Sequence, residues 1–162
     1  FATALKHAMR QAPDIIVVGE MRDTATMAAA LTAAETGHLV FATIHTNNAP
    51  QTIDRIIDSF PAEHQNQIRQ QLACALLGIV SQRLLPRLDG KGRIAAFEVL
   101  IATPPVCALI RDNKTFQLQS IIETSQKDGM LTLEYYMGAL AQRGLIAQEE
   151  LGKYAAEAKR FG

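Results

Sequence analysis

Two short runs of β-prone apolar residues, each followed by polar groups, constrain the fold of this chain more than any other feature. The first run, Ile15 to Val18, stops abruptly at Gly19-Glu20, and the second, Leu39 to Ile44, stops at His45. Strands with apolar side chains on both faces are typical of the middle of a parallel sheet. Both runs are therefore interpreted as central strands.

The segment between the two runs has the pattern of a helix. Thr24 to Thr36 is rich in alanine, Asp23 is placed to cap its amino end, and Gly37 suits a left-handed stop. Strand, helix and strand form a βαβ unit, whose right-handed crossover makes the strands parallel. Glu20 and His45 should then emerge at the same edge of the sheet, where ligand crevices form.

The histidines and the glutamate also have simpler interpretations. Residues His38 and His45 are seven apart, which in a strand separates them by roughly 20 Å or more, so they cannot share one metal ion. His38 is interpreted as a structural histidine bonded to the backbone, and His45 as either a site residue or part of a turn. For Glu20 alone, the simpler alternative is a solvated acidic turn.

Longer motifs around these residues resemble a known family. Met9 to Asp23 is similar to the signature of type II/type IV secretion ATPases, apolar-Arg-x-x-Pro-Asp-x-(apolar)3-Gly-Glu-apolar-Arg-Asp, at every fixed position. Thr36 to Ala49 resembles the histidine box of that family. The similarity continues through Thr52 to Asp58 and Leu85 to Ala96, so it covers nearly the whole chain.

The resemblance implies an α/β fold, namely part of a RecA-like P-loop ATPase core, and a nucleotide site. Glu20 would stand in an atypical Walker B element and hold the Mg²⁺ of ATP through water. His45 would approach the γ-phosphate as the second catalytic residue. Mg²⁺ needs only one or two carboxylates besides phosphate, which agrees with that role for Glu20. The implied nucleotide-binding or sensing positions are Gly19, Arg22, His38 and Thr46.

Arg22 has two interpretations. It neutralises phosphate charge, or it pairs with a neighbouring carboxylate such as Asp23, and the second is favoured for an arginine just past a strand.

Two elements of such an ATPase have no match in this sequence. No Gly-x-x-x-x-Gly-Lys-[Ser/Thr] occurs, so the backbone cradle and lysine that hold phosphates are not found. The acidic box of the family, which carries its general base, is also not found. We therefore expect the chain to be the carboxyl-terminal part of a longer motor subunit, and to be inactive by itself.

The region after the histidine box distinguishes the branches of the family. Assembly and secretion ATPases carry paired Cys-x-x-Cys motifs for zinc there, whereas Gln82 to Phe97 contains no cysteine and predicts a hairpin, so no zinc is expected. This resembles the PilT-like retraction branch. The coupling motif of that branch corresponds to Leu109, Ile110, Arg111 and Asp112. Cys107 and Ala108 depart from it, which leaves a PilU-like accessory motor as an alternative.

The predicted architecture has two parts. Residues 1–101 form the carboxyl-terminal part of the ATPase core, including the hairpin. Residues 102–162 form a helical subdomain, with apolar stripes predicting helices over 104–112, 116–126, 132–143 and 148–160.

Composition and family resemblance together suggest the partners. With 16 basic and 16 acidic residues, the overall charge disfavours a nucleic-acid motor, with a local basic patch as the open alternative, and no nucleic-acid partner is expected. No apolar stretch approaches the ~20 residues that span a bilayer. The resemblance implies a homo-hexamer in the cytoplasm, peripheral to the inner membrane, with a pilus platform protein and a paralogous retraction ATPase as partners. The alternative is a non-catalytic assembly or regulatory module.

Overall fold

The computed structural model describes the backbone of residues 2–161 and the side chains of residues 3–5 and 7–154. It has the predicted α/β class, with parallel strands, an antiparallel hairpin and further helices. The elements in chain order are α1 (Ala2–Met9), β1 (Ile15–Val18), α2 (Thr24–Glu35), β2 (Leu39–Ala42), α3 (Ala49–Asp58), α4 (Ala62–Ala75), β3 (Gly78–Pro86), β4 (Arg93–Ile101), α5 (Pro104–Arg111), α6 (Leu118–Thr124), α7 (Leu133–Gln142) and α8 (Gln148–Phe161), with 3-10 turns at Thr115–Gln117 and Gln126–Asp128.

The βαβ unit forms as the sequence predicts. Strands β1 and β2 pair in parallel, with Ile15 opposite Leu39 and Val18 opposite Ala42. The Asp23 side chain caps α2 by accepting from the backbone N–H of Thr26 at 2.8 Å. The chain leaves α2 through Gly37, whose φ of +96° is in the left-handed region that favours glycine.

The two-stranded sheet buries one face. Ile16 and Val18 pack against Leu5 of α1 and against the alanines Ala29 and Ala33 of α2. Alanine lets the helix backbone lie close to the strand, which is why this helix needs few large side chains. On the opposite face Ile15, Val17 and Phe41 are exposed. Burial on both faces, expected from the apolar runs, is therefore met on one face only among the described residues, because α1 and α2 cover that face alone.

Three helices complete the unit that contains the sheet. Chain contacts group the residues up to Leu77 with Ala102–Leu118. Helix α4 packs against α2, α3 and α5. Ile53 and Ile57 of α3 are fully buried, as is Ile110 of α5.

The hairpin belongs to a second compact unit, Gly78–Ile101 with the residues from Gln119 onward. Strands β3 and β4 pair antiparallel, with Ser81 opposite Glu98, which confirms the predicted hairpin. Ala96 packs in a cluster with Leu133, Met137 and Leu140 of α7. The contacts therefore group the hairpin with helices that follow it, while the domain division at residues 101 and 102 stays a prediction. None of the helices in the described part of the chain is long and apolar enough to cross a membrane.

Candidate nucleotide site

The candidate site lies at the carboxyl ends of β1 and β2, where backbone contacts continue beyond the strands. The backbone N–H of Met21 donates to the carbonyl of Thr43 at 2.9 Å, and the Thr43 hydroxyl donates to the carbonyl of Gly19. These bonds fix the segment between Gly19 and Met21. The backbone on both sides of Glu20 is thereby held against the extension of β2.

The Glu20 carboxylate is shared between two nitrogen groups. Arg22 Nη2 lies 2.6 Å from Glu20 Oε2, and His45 Nε2 lies 3.1 Å from Glu20 Oε1. The Glu20 side chain is 22% exposed, whereas those of Arg22 and His45 are 77% and 86% exposed. The structure thus brings Glu20 and His45 together at one sheet edge, as the βαβ geometry predicts, and leaves both nitrogen groups open to an incoming ligand.

These contacts set the charge of the site. The hydrogen bond from Arg22 holds the pKa of Glu20 below its usual value, with a further contribution from His45, and the same bond raises the pKa of Arg22. Glu20 is therefore an anion at neutral pH, and Arg22 a cation.

Arg22 pairs with a neighbouring carboxylate, the interpretation that the sequence favoured, but the partner is Glu20 and not Asp23, the example given. Both oxygens of Asp23 are engaged by Thr26, with the Thr26 N–H on one and the Thr26 hydroxyl on the other, each at 2.8 Å. These bonds lower the pKa of Asp23, the backbone bond contributing most. The capping role of Asp23 thus leaves Glu20 as the carboxylate available to Arg22.

His38 lies at the opposite end of β2 and does not join the cluster. Its Nδ1 is 3.1 Å from the carbonyl of Ala33 and 3.2 Å from the hydroxyl of Thr36. Both partners belong to the end of α2. The ring therefore ties the carboxyl end of that helix to the start of β2, in the place that a structural histidine would take.

Thr46 and Gly19 shape the surroundings of Glu20. The Thr52 hydroxyl donates to the carbonyl of Asn48 at 2.8 Å, so the 2.6 Å contact between Thr46 and Thr52 is a donation from Thr46. Asn48 caps α3 by accepting from the N–H of Gln51. Gly19 has open space where a side chain would begin, since apart from its two chain neighbours no described residue has a heavy atom within 4 Å of that position. A ligand can thus approach the backbone at Gly19.

Thr43 is a site residue that sequence reasoning missed. Its position just before His45, on the extension of β2, places it beside the last residues of β1 once the strands are taken as parallel. The parallel pairing of the two strands was therefore the sequence signal from which Thr43 could have been identified.

The donor set at this edge fits a magnesium ion that also binds phosphate. No group of three or more His, Cys, Asp or Glu residues placed to hold a metal occurs among the described side chains. Mg²⁺ keeps several waters and is commonly bound through one or two carboxylates plus substrate phosphates. Glu20 supplies one ionised carboxylate for the ion, and the nitrogen groups of Arg22 and His45 lie beside it, where they can hydrogen-bond to a phosphate. This arrangement suits an ion that is also bound by phosphate.

The predicted coupling motif lies elsewhere, on α5. Ile110 is fully buried and Leu109 is half-buried. Arg111 and Asp112 are exposed, and Asp112 accepts from Lys114 Nζ at 3.3 Å.

Comparison with known proteins gives consistent matches. The sequence model of the family described as Type II/IV secretion system protein matches residues 1–130. The chain is 51% identical over 149 residues to a Neisseria gonorrhoeae protein named Twitching motility protein, covering 92% of this chain and 40% of that one. It is 47% identical over 161 residues to the type IV pilus retraction ATPase PilT of Pseudomonas aeruginosa, covering 99% of this chain and 46% of that one.

A solved structure matches the fold. The crystal structure of the pilus retraction motor PilT with bound ADP superposes with a TM-score of 0.84 at 47% identity, over 93% of this chain and 42% of that one. The fold expected from the resemblance is confirmed by this match. The chain spans less than half the length of these relatives.

Proposed function

This chain belongs to the type II/IV secretion system protein family, and we propose that it forms the carboxyl-terminal part of a motor ATPase that powers retraction of type IV pili, and hence twitching motility. The cluster of Glu20, Arg22 and His45 at the carboxyl edge of parallel strands carries this proposal. In one place it supplies the Glu20 carboxylate for a metal, and the Arg22 cation and the His45 ring for phosphate.

Glu20 binds on the metal side of the nucleotide, through water. Its carboxylate is ionised at neutral pH and is held by the Arg22 bond, so no proton has to leave before it binds. Mg²⁺, when bound, neutralises phosphate charge and polarises phosphoryl oxygens. The nucleotide is ATP, and the site uses no zinc.

His45 and Arg22 act on the phosphate side. Both side chains are largely exposed and are held only through Glu20 among the contacts described above, so each can turn toward a phosphate without disturbing the core. His45 reports the presence of the γ-phosphate. The Arg22 guanidinium forms an ion pair with Glu20 and also interacts with the phosphates.

The remaining site residues support this edge from the backbone. Gly19 lets the nucleotide come close to the chain, and Thr46 holds the loop after His45 to the first turn of α3. His38 lies at the opposite end of β2 from the site and supports it indirectly, by fixing the end of α2 against the start of β2. Residues 109–112 form the coupling motif, in which Arg111 and Asp112 are exposed and Ile110 is buried.

The assembly proposed is a homo-hexamer in the cytoplasm, peripheral to the inner membrane. Its partners are the pilus platform protein and a paralogous retraction ATPase, and no nucleic acid is involved. The names of the relatives support a pilus motor. Residues 1–101 and 102–162 are the proposed core and helical subdomain.

A PilU-like accessory motor is the second candidate. The observation that favours it is the coupling motif, where Cys107 and Ala108 replace the arginine and asparagine of the retraction branch. A non-catalytic assembly or regulatory module is the further alternative.

One experiment separates these functions. The intact protein is assayed for ATP hydrolysis, and a strain in which it is the sole retraction ATPase is scored for twitching. Hydrolysis with twitching supports the retraction motor, and hydrolysis without twitching supports the accessory motor. A protein that neither binds nor hydrolyses ATP contradicts both and supports the non-catalytic module.

A further inference from the structure

Helix α3 is held to the candidate site at both of its ends. At its amino end the Thr46 hydroxyl donates to Thr52 at 2.6 Å, and at its carboxyl end the Thr24 hydroxyl donates to the carbonyl of Ser59 at 2.7 Å. Thr46 follows His45, and Thr24 begins the helix that follows Glu20 and Arg22. A displacement of either site loop therefore acts directly on α3.

The same helix is packed tightly along its inner face, which favours transmission of such a displacement. Ile53 and Ile57 on its inner face are fully buried. Close-packed interiors transmit strain rather than deform. Helix α3 thus moves as one body when its ends are moved.

A side-chain hydrogen bond joins α3 to a segment far along the chain. The Thr115 hydroxyl donates to Asp54 Oδ1 at 2.8 Å, across 61 residues of sequence. Thr115 is only 7% exposed. A hydrogen bond to a carboxylate is roughly twice as strong as one between neutral groups, so this contact is well suited to transmit a displacement.

Thr115 is in turn fixed to the coupling motif. Helix α5 ends with Asn113 in the left-handed region, at a φ of +58°. The N–H of Lys114 donates to the carbonyl of Leu109 at 2.9 Å, and the N–H of Asn113 donates to that of Ile110 at 3.3 Å. This pair of bonds is the Schellman arrangement, which satisfies the last carbonyls of a helix and sets the path of the chain that leaves it. Thr115 therefore follows any movement of Leu109 and Ile110.

We propose that the Asp54–Thr115 hydrogen bond transmits the nucleotide state of the Glu20–His45 edge to α5. The route runs from Thr46 to Thr52, along α3 to Asp54, and across to Thr115, three residues after the coupling motif. Asp54 and Thr115 are positioning residues, since they bond to each other and are not part of the Glu20–Arg22–His45 cluster. The inference rests on the proposed nucleotide site and adds how that site acts on the rest of the protein.

The test uses hydrogen–deuterium exchange of the backbone amides of residues 106–112 in the intact protein, with and without a non-hydrolysable ATP analogue and Mg²⁺; Pro104 and Pro105 have no amide hydrogen. Thr115→Val removes the donor of the bond and Asp54→Ala removes its acceptor. If one of these variants fails to fold, the other still tests the inference. Thr115→Ser keeps the hydroxyl. Thr32→Val is the control for the substitution itself, because among the described residues the exposed Thr32 hydroxyl donates only to the carbonyl of Ala28 in its own helix.

The expected result is a nucleotide-dependent change in α5 exchange that falls at least fivefold in both bond-removing variants and is kept in Thr115→Ser and Thr32→Val. The affinity for the analogue should stay within twofold of the wild type in all four variants. A variant that merely loosens the packing of the protein would instead be expected to lose affinity as well. A full exchange response in Thr115→Val or Asp54→Ala overturns the inference. So does a wild-type protein that binds the analogue without any change in α5, and this outcome leaves the proposed function intact. A wild-type protein that does not bind the analogue contradicts the proposed function, and the inference with it.

Discussion

Arg22 Nη2 lies 2.6 Å from Glu20 Oε2 at the end of β1. The arginine is the first cause of the lowered pKa of Glu20, and the glutamate is the first cause of the raised pKa of Arg22. Each group therefore stabilises the charged form of the other. An ionised carboxylate at the tip of a parallel strand is the property on which the proposed metal binding depends.

Replacing Glu20 with glutamine should abolish ATP turnover in the intact protein while leaving nucleotide binding measurable. Glutamine keeps the shape of the side chain and removes the negative charge that a hard cation requires. We expect a fall of about 10²-fold or more in kcat, the size that the loss of one charge-stabilising group typically has. Steady-state hydrolysis and titration with a fluorescent ATP analogue measure the two effects.

Asp23→Asn is the matched control for that variant. It removes a neighbouring carboxylate in the same isosteric way, but asparagine caps helices as well as aspartate does. Turnover should therefore stay close to that of the wild type. Normal turnover in Glu20→Gln would show that this carboxylate is not the metal-binding group.

The two histidines should differ in their effect on hydrolysis. His45 contacts Glu20 at 3.1 Å, whereas His38 bonds Ala33 and Thr36 at the other end of β2. His45→Ala should lower ATP hydrolysis about tenfold or more, which corresponds to roughly 1.4 kcal/mol in the barrier. His38→Ala should lower it less and should mainly lower thermal stability. Hydrolysis rates and melting temperatures of both variants test this, and an equal or reversed ranking of the rates would contradict the placement of His45 at the site.

The βαβ unit could be predicted because its signals are local. Asp23, the alanine-rich segment and Gly37 each favour their observed conformation by chemistry within a few residues, and the right-handed crossover then brings Glu20 beside His45. The partner of Arg22 could not be predicted in the same way. It depends on Asp23 being engaged by Thr26, and a cap and an ion pair compete for one side chain. The structure, rather than the sequence, shows that the helix cap prevails over the ion pair at Asp23.

Packing on the helices was less accessible from sequence. A motif match aligns Leu109 and Ile110, but it does not say which of them faces the core. The structure buries Ile110 completely and leaves Leu109 half-buried. Likewise, apolar runs predicted burial of both sheet faces, although the described helices cover one. Periodicity reports that a side chain is apolar, and the contacts it makes depend on elements distant in sequence.

The difference in burial between Ile110 and Leu109 on α5 leads to a prediction about stability. Ile110→Ala should lower the free energy of unfolding by about 2–5 kcal/mol, because it leaves a cavity at a fully buried position. Leu109→Ala should cost clearly less, since part of its side chain is already in water. Urea denaturation of both variants measures the difference. Equal losses would show that Leu109 is buried in the intact protein, whereas lost pilus retraction with unchanged stability in Leu109→Ala would identify an exposed coupling surface.

The turn of the hairpin gives a prediction that depends on pH. Arg87 Nη2 lies 2.8 Å from Asp89 Oδ2, and the backbone N–H of Lys91 donates to Asp89 Oδ1 at 2.9 Å. The bond from Arg87 is the main reason that the pKa of Asp89 is lowered to about 2. A carboxylate whose pKa is lowered by folding stabilises the fold above its unfolded pKa, and this contribution disappears as the pH falls through the folded value.

Arg87→Gln should therefore raise the pKa of Asp89 from about 2 toward its ordinary 3.8. The variant should be less stable than the wild type at pH 5 to 7, and the difference should shrink as the pH falls from 3.8 toward 2, where the wild-type carboxylate also becomes protonated. Carboxyl ¹³C titration by NMR measures the pKa, and urea denaturation at several pH values measures the stability. Lys91→Gln is the control, because Lys91 acts on Asp89 through its backbone N–H, which the substitution keeps. If Asp89 titrates near 2 in Arg87→Gln as well, the backbone bond rather than the ion pair sets its pKa.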